Sequence, residues 1–100
     1  MLKHIVMWKL KDEAEGASKA VNAGKMKAML DACAGLVPGI LTLEVAVAQP
    51  GLEATYDVVL YSEFSSREAL DAYQTHPQHV ALKPFFSAVR ESRACMDYEV

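Results

Sequence analysis

Two histidines and a tyrosine fall within the seven residues Tyr73-Gln74-Thr75-His76-Pro77-Gln78-His79. An unperturbed imidazole titrates near neutral pH, so His79 has the chemistry of a general base toward an activated carbon acid. Tyr73 carries a hydroxyl that can donate to a developing enolate oxygen. The third histidine, His4, lies on the same strand face as Trp8, and this face can line a pocket beneath the other three residues. Each residue also has a plainer reading. His79 can be a packed ring bonded to a backbone carbonyl, and Tyr73 a core tyrosine with its hydroxyl satisfied. His76 suits a cap that pins the junction between two helices.

Other chemistries find less support. His76 and His79 are three residues apart, but Pro77 interrupts the helix between them and no third ligand stands nearby, so no side-chain metal site is expected. There is no Gly-x-Ser-x-Gly elbow and no phosphate-binding glycine loop. Cys33 and Cys95 lie far apart in sequence and read as unbridged thiols filling the core.

The elements that must position these residues follow from periodicity. Residues 3–10 alternate as a strand, with His4, Val6, Trp8 and Leu10 on one face and Ile5 and Met7 on the other. After a polar turn around Gly16, helical spacing over 17–34 places Val21, Met26, Met29, Leu30 and Cys33 on one stripe, and Gly35 and Pro38 end it. Ile40–Ala48 and Tyr56–Phe64 read as an antiparallel hairpin. Ser65-Ser66-Arg67-Glu68 is a capping box with Ser65 as its cap. The helix that follows must stop at His76, because Pro77 disfavours helical geometry in the residue before it. Pro77 then opens a new helix, kinked at Pro84, and residues 92–99 close as a last strand.

The 100 residues, 52% hydrophobic and 23% charged, suit one globular domain over 1–100. A formal charge of -3 argues against a nucleic-acid partner, which needs clustered Lys and Arg. No apolar run is long enough for a membrane span, and the first eight residues are too short and too soon charged for a signal peptide. A cytoplasmic location is the expectation.

Strand, helix, strand, strand, helical region, strand is an α+β order. Right-handed crossovers turn it into a ferredoxin-like four-stranded antiparallel sheet with the helices on one face. The other face is left bare, with Ile5, Met7, Leu41, Leu43, Val45, Val47, Val59 and Tyr61 expected on it. Monomers rarely tolerate such a patch. Two copies packed sheet on sheet would cover it and close a barrel, so a homodimer is expected.

Several stretches together resemble one family. These are His4-Ile5-Val6-Met7-Trp8-Lys9-Leu10-Lys11, Val37-Pro38-Gly39-Ile40, the strand from Tyr56 to Phe64, the block from Ala69 to His79, and Asp97-Tyr98. The whole chain is similar to the stress-responsive A/B barrel (Dabb) proteins, and Tyr-x-x-His-Pro-x-His is the most specific part. The resemblance implies a dimeric α+β barrel. It implies, for one plant branch similar to olivetolic acid cyclase, aldol closure of linear polyketides with the residue matching His79 as base and that matching Tyr73 assisting. Histidines matching His4 and His76 belong to the same pattern. This chain departs at Val58, where that branch has a further pocket histidine. Some members hold Mg²⁺ through backbone carbonyls, which would fall here on Ala34, Val37 and Ile40.

Three functions follow: a cofactor-free cyclase or lyase using Tyr73 and His79, a non-catalytic protein binding a small apolar or aromatic molecule in the same pocket, or a structural stress protein. The pocket is expected within one subunit, between the helix break and the sheet. Its walls would be His4, Trp8, Val58, His76 and Phe85 with Val6 and Leu60, and its polarity confined to the histidines and the tyrosine.

Overall fold

The alternating residues near the start form β1 (Leu2–Leu10), with Leu2, His4, Val6, Trp8 and Leu10 buried on one face. The computed structural model describes residues 1–100. The polar turn after β1 is itself a miniature hairpin of β2 (Glu13–Ala14) and β3 (Ala17–Ser18). Glu15 (φ 51°) and Gly16 (φ 74°) fill its two-residue turn, where positive φ matches the twist of the flanking strands. Buried Asn22 donates from Nδ2 to the carbonyls of Ala14 (3.0 Å) and Ala17 (3.4 Å), tying the hairpin to α1 (Lys19–Asp31).

Three further strands and helices complete the chain: β4 (Ile40–Val47), β5 (Val58–Phe64), α2 (Arg67–Thr75), α3 (Pro77–Val80), α4 (Lys83–Val89) and β6 (Arg90–Glu99). The main sheet runs β4-β5-β1-β6, and every neighbouring pair is antiparallel. This is the ferredoxin-like order expected. The helices cover one face, where Val6, Trp8, Leu10, Met26, Leu30, Leu60, Phe86 and Val89 form the larger part of the core. Leu2, Cys33, Phe64, Leu70 and Tyr73 form the smaller part.

Several expectations need correction. Val21 is exposed, and the inward stripe of α1 is Asn22, Ala23, Met26 and Leu30. The cap of α2 is Ser66, not Ser65: its side chain accepts from the Ala69 N–H at 3.1 Å. Pro84 does not kink one long helix. Two short helices form instead, and Pro84 sits in the first turn of the second, where its missing N–H costs nothing. Both cysteines are free, but only Cys33 is buried; Cys95 is exposed on β6.

The largest correction concerns β4. Leu43, Val45 and Val47 face the helices, not the open side. Val45 pairs with Leu60 and Val47 with Val58, and those partners are core residues. An irregularity in the register between Ile40 and Thr42 leaves Leu41 exposed. Alternation alone cannot say which face turns inward; α1 decides it by demanding apolar cover. The open face therefore carries Thr42, Glu44 and Ala46 on β4. Its apolar centre lies further along the rows Tyr61–Ile5–Met96 and Val59–Met7–Ala94.

Gly39 fixes how the loop before β4 meets α2. Its φ is +94°, its carbonyl accepts from the Ser65 N–H at 2.9 Å, and a Cβ there would stand 2.7 Å from Ser65 Oγ and 2.8 Å from Ala69 Cβ. Gly39→Ala should destabilise the fold by more than about 1 kcal/mol in thermal or urea melts. Gly24→Ala, inside α1 with open space around it, should instead stabilise it by about 0.5–1 kcal/mol. Equal shifts for the two variants would contradict this placement of Gly39.

Candidate functional site

The break between α2 and α3 is built as its sequence requires. His76 is extended (ψ 135°) ahead of Pro77, which ends α2 at Thr75. The His76 ring then caps α3, with Nδ1 accepting from the Gln78 N–H at 3.1 Å. His79 follows one turn later, its N–H bonded to the His76 carbonyl at 3.0 Å. His76 thus serves the junction and does not reach the cavity wall.

Beneath the junction a cavity of about 390 Å³ lies between the sheet and the helices. His4, Trp8 and His79 line it, together with Val6, Leu60 and Phe86. Trp8 and Phe86 meet edge to face, with ring centroids 5.4 Å apart. Val58 is packed in the core, and Phe85 packs against that core without reaching the wall. Gln74, Lys83, Ser87, Arg90 and Arg93 also reach the wall, so the cavity is more polar than its histidines alone would make it.

Tyr73 is completely buried, behind His79 and off the cavity wall. The Tyr73 and His79 rings are 4.5 Å apart, and Phe64 is 5.4 Å from Tyr73. The Tyr73 hydroxyl and the His79 Nδ1 are both buried without a hydrogen-bond partner. Burial, and then the nearby Cys33, push the Tyr73 hydroxyl well above its usual value, so it remains a donor. Burial also lowers the pKa of His79. The Gln74 backbone opposes this, while the positive charges of Lys83 and Arg93 and the neighbouring His4 ring reinforce it.

His4 is 2% exposed, and its Nδ1–H donates to Asp97 Oδ1 at 2.5 Å. A carboxylate only accepts, so the free nitrogen of His4 is Nε2. Ser62, the cross-strand neighbour of His4, donates its hydroxyl to the His4 carbonyl at 2.8 Å. The His4–Asp97 pair was missed from the sequence. It comes from the β1–β6 register, which sets the two residues directly opposite each other. Cys95 lies two residues away on the same face, its Sγ 3.8 Å from Asp97 Oδ1. The Sγ, the His4 ring and the carboxylate fall within 4.8 Å of one another, a grouping of potential ligands that the sequence did not reveal.

Ala34 lies in the turn after α1, Val37 in the following loop and Ile40 at the start of β4. The carbonyls of Ala34 and Val37 accept no hydrogen bond from within the chain.

A model of the stress responsive A/B barrel domain matches residues 2–100. The chain is 28% identical over 103 residues to the stress-response A/B barrel domain-containing protein DABB1 of Arabidopsis thaliana. That match takes in 98% of this chain but 46% of the relative, so the chain spans about half the length of that protein. Among solved structures, a dimeric protein of unknown function and ferredoxin-like fold from Bacteroides fragilis is 37% identical, with a TM-score of 0.82 over 99% of this chain and 95% of that one. An antibiotic biosynthesis monooxygenase shares the fold at 21% identity and a TM-score of 0.75, over 100% of this chain and 98% of its own. The family match leaves only the first residue outside it, and the Tyr73–His79 junction lies within it: the chain belongs to the stress responsive A/B barrel domain family.

Proposed function

We propose that the protein is a homodimer whose chains each hold a small apolar or aromatic molecule in the cavity under the α2–α3 break, with His79 as general base. One observation carries this reading: the His79 ring stands at the wall of a half-open cavity that it shares with His4. Burial favours its neutral form, the form a base needs. His4 is held by Asp97 and presents a second nitrogen to the same space. Tyr73 is a positioning residue: its ring backs that of His79.

The chemistry is removal of a proton from carbon next to a carbonyl, as in aldol closure or a related lyase step. No step runs through a metal. A magnesium ion on the carbonyls of Ala34, Val37 and Ile40 would brace the loop before β4. The dimer would bury the open face of the sheet, and about 800 Å² per partner is the ordinary scale for a stable interface. The B. fragilis relative is dimeric.

A second reading, non-catalytic binding in the same cavity, is favoured by the placement of Tyr73 away from the wall. Deuterium exchange at the methylene of 1-phenylbutane-1,3-dione, followed by NMR, separates the two. The base reading expects the protein to speed exchange above the buffer rate, and His79→Gln to lose about 10²–10⁴ of that gain. Its acid limb should lie below pH 6.5, because the His79 pKa is lowered from that value. Stability should follow the same sense. Folding favours the neutral ring, so the unfolded chain takes up the proton first, and this contribution is lost as pH falls from 6.5 through the lower folded value. Binding of the dione without faster exchange would leave the second reading standing.

A further inference from the structure

The cavity under the helix break has an unbalanced charge. Lys83, Arg90 and Arg93 all line it, and no aspartate or glutamate does. None of the three cations belongs to an ion pair, although Lys19, Lys27 and Arg67 do. The imbalance runs against the composition of a chain with 13 acidic and 10 basic residues. It arises from one short segment. Lys83 opens α4, Arg90 opens β6, and Arg93 stands across from Trp8 on β6. Glu91, the carboxylate of that segment, stays off the wall, and Asp97 is occupied by His4.

We propose that this cavity selects an apolar or aromatic carboxylate, whose body rests on Trp8, Leu60 and Phe86 and whose carboxylate meets Lys83, Arg90 and Arg93. The inference rests on the cavity reading above and names the ligand class. Guanidinium groups match a carboxylate in plane and can grip both its oxygens, while Lys83 adds a point charge. Partial enclosure strengthens these contacts relative to open water. Lys83 and Arg93 also lie close enough to His79 to disfavour a positive charge on its ring.

The test uses the full-length protein at low salt and two probes of matched shape, 2-naphthoate and its neutral counterpart 2-naphthamide, titrated by calorimetry. Naphthoate should bind at least about tenfold more tightly, the scale of one hydrogen bond to a charged group. Raising the salt should narrow this ratio. Arg93→Gln and Lys83→Gln should each reduce it, and the triple variant that adds Arg90→Gln should abolish it while binding the amide as before. If acid and amide bind alike to the wild-type protein, the carboxylate inference falls and the cavity reading stands. If neither binds, both fall. A preference for naphthoate that survives the triple variant would also overturn the proposal, since the charge would then be read elsewhere.

Discussion

Tyr73→Ala should remove about 3–5 kcal/mol of stability, the usual cost of deleting a buried ring, whereas Tyr73→Phe should leave stability within about 1 kcal/mol of wild type. The ring is fully buried between Phe64 and His79, so truncation opens a cavity in the smaller core. The hydroxyl has no partner within the chain, so its removal leaves no other group unsatisfied. Against a total of roughly 5–15 kcal/mol, the alanine variant approaches the margin of folding. Urea melts at one fixed protein concentration would measure both, because the apparent stability of a self-associating protein depends on its concentration. A Phe variant as unstable as the Ala variant would show that the hydroxyl is bonded after all. The pair also separates two roles: the phenylalanine should keep His79 in place and keep its proton-transfer activity.

Ile5→Glu should weaken self-association by at least about a hundredfold, since a carboxylate buried at the centre of an interface without a partner costs several kcal/mol. Ile5 lies between Tyr61 and Met96 in the middle of the open face, and Met96 is 66% exposed in the single chain. Lys25→Glu, on the solvent side of α1, should leave association unchanged. Light scattering at micromolar concentration distinguishes these outcomes. A dimeric Ile5→Glu protein would place the interface on some other surface. The corrected arrangement of β4 sharpens this prediction. With Thr42 and Glu44 at one side of the open face, the apolar contact concentrates on the middle strands β5 and β1 and on β6.

Much of the frame could be read along the chain because local rules agree there. His4, Val6, Trp8 and Leu10 alternate cleanly, and Pro77 both stops α2 and opens α3. What could not be read depends on register or on orientation across the sheet. Leu43, Val45 and Val47 alternate as well inward as outward, and only packing under α1 settles the matter. The cap fell one residue late because Ser65 and Ser66 both suit an N-cap, and Ser65 is instead held by Gly39. Asp97 could not be matched to His4 without the β1–β6 pairing. For the same reason the sequence alone gives no sign that Arg93 stands opposite Trp8.

That pairing also has a kinetic meaning. β1 is a central strand, yet both of its neighbours, β5 and β6, come from the second half of the chain. The His4–Asp97 contact closes a separation of 93 residues. Loop-closure entropy must be overcome before these contacts can stabilise anything, so folding should be slower than in a helical bundle of equal length, in milliseconds to seconds. A nascent or partly folded chain can already have α1 and the β4–β5 hairpin, which are local. It would still lack the strand that orients His4 and brings Arg90 and Arg93 to the cavity. Ligand recognition should therefore appear only with the last docking event, and a ligand that fits the cavity should slow unfolding more than it speeds folding.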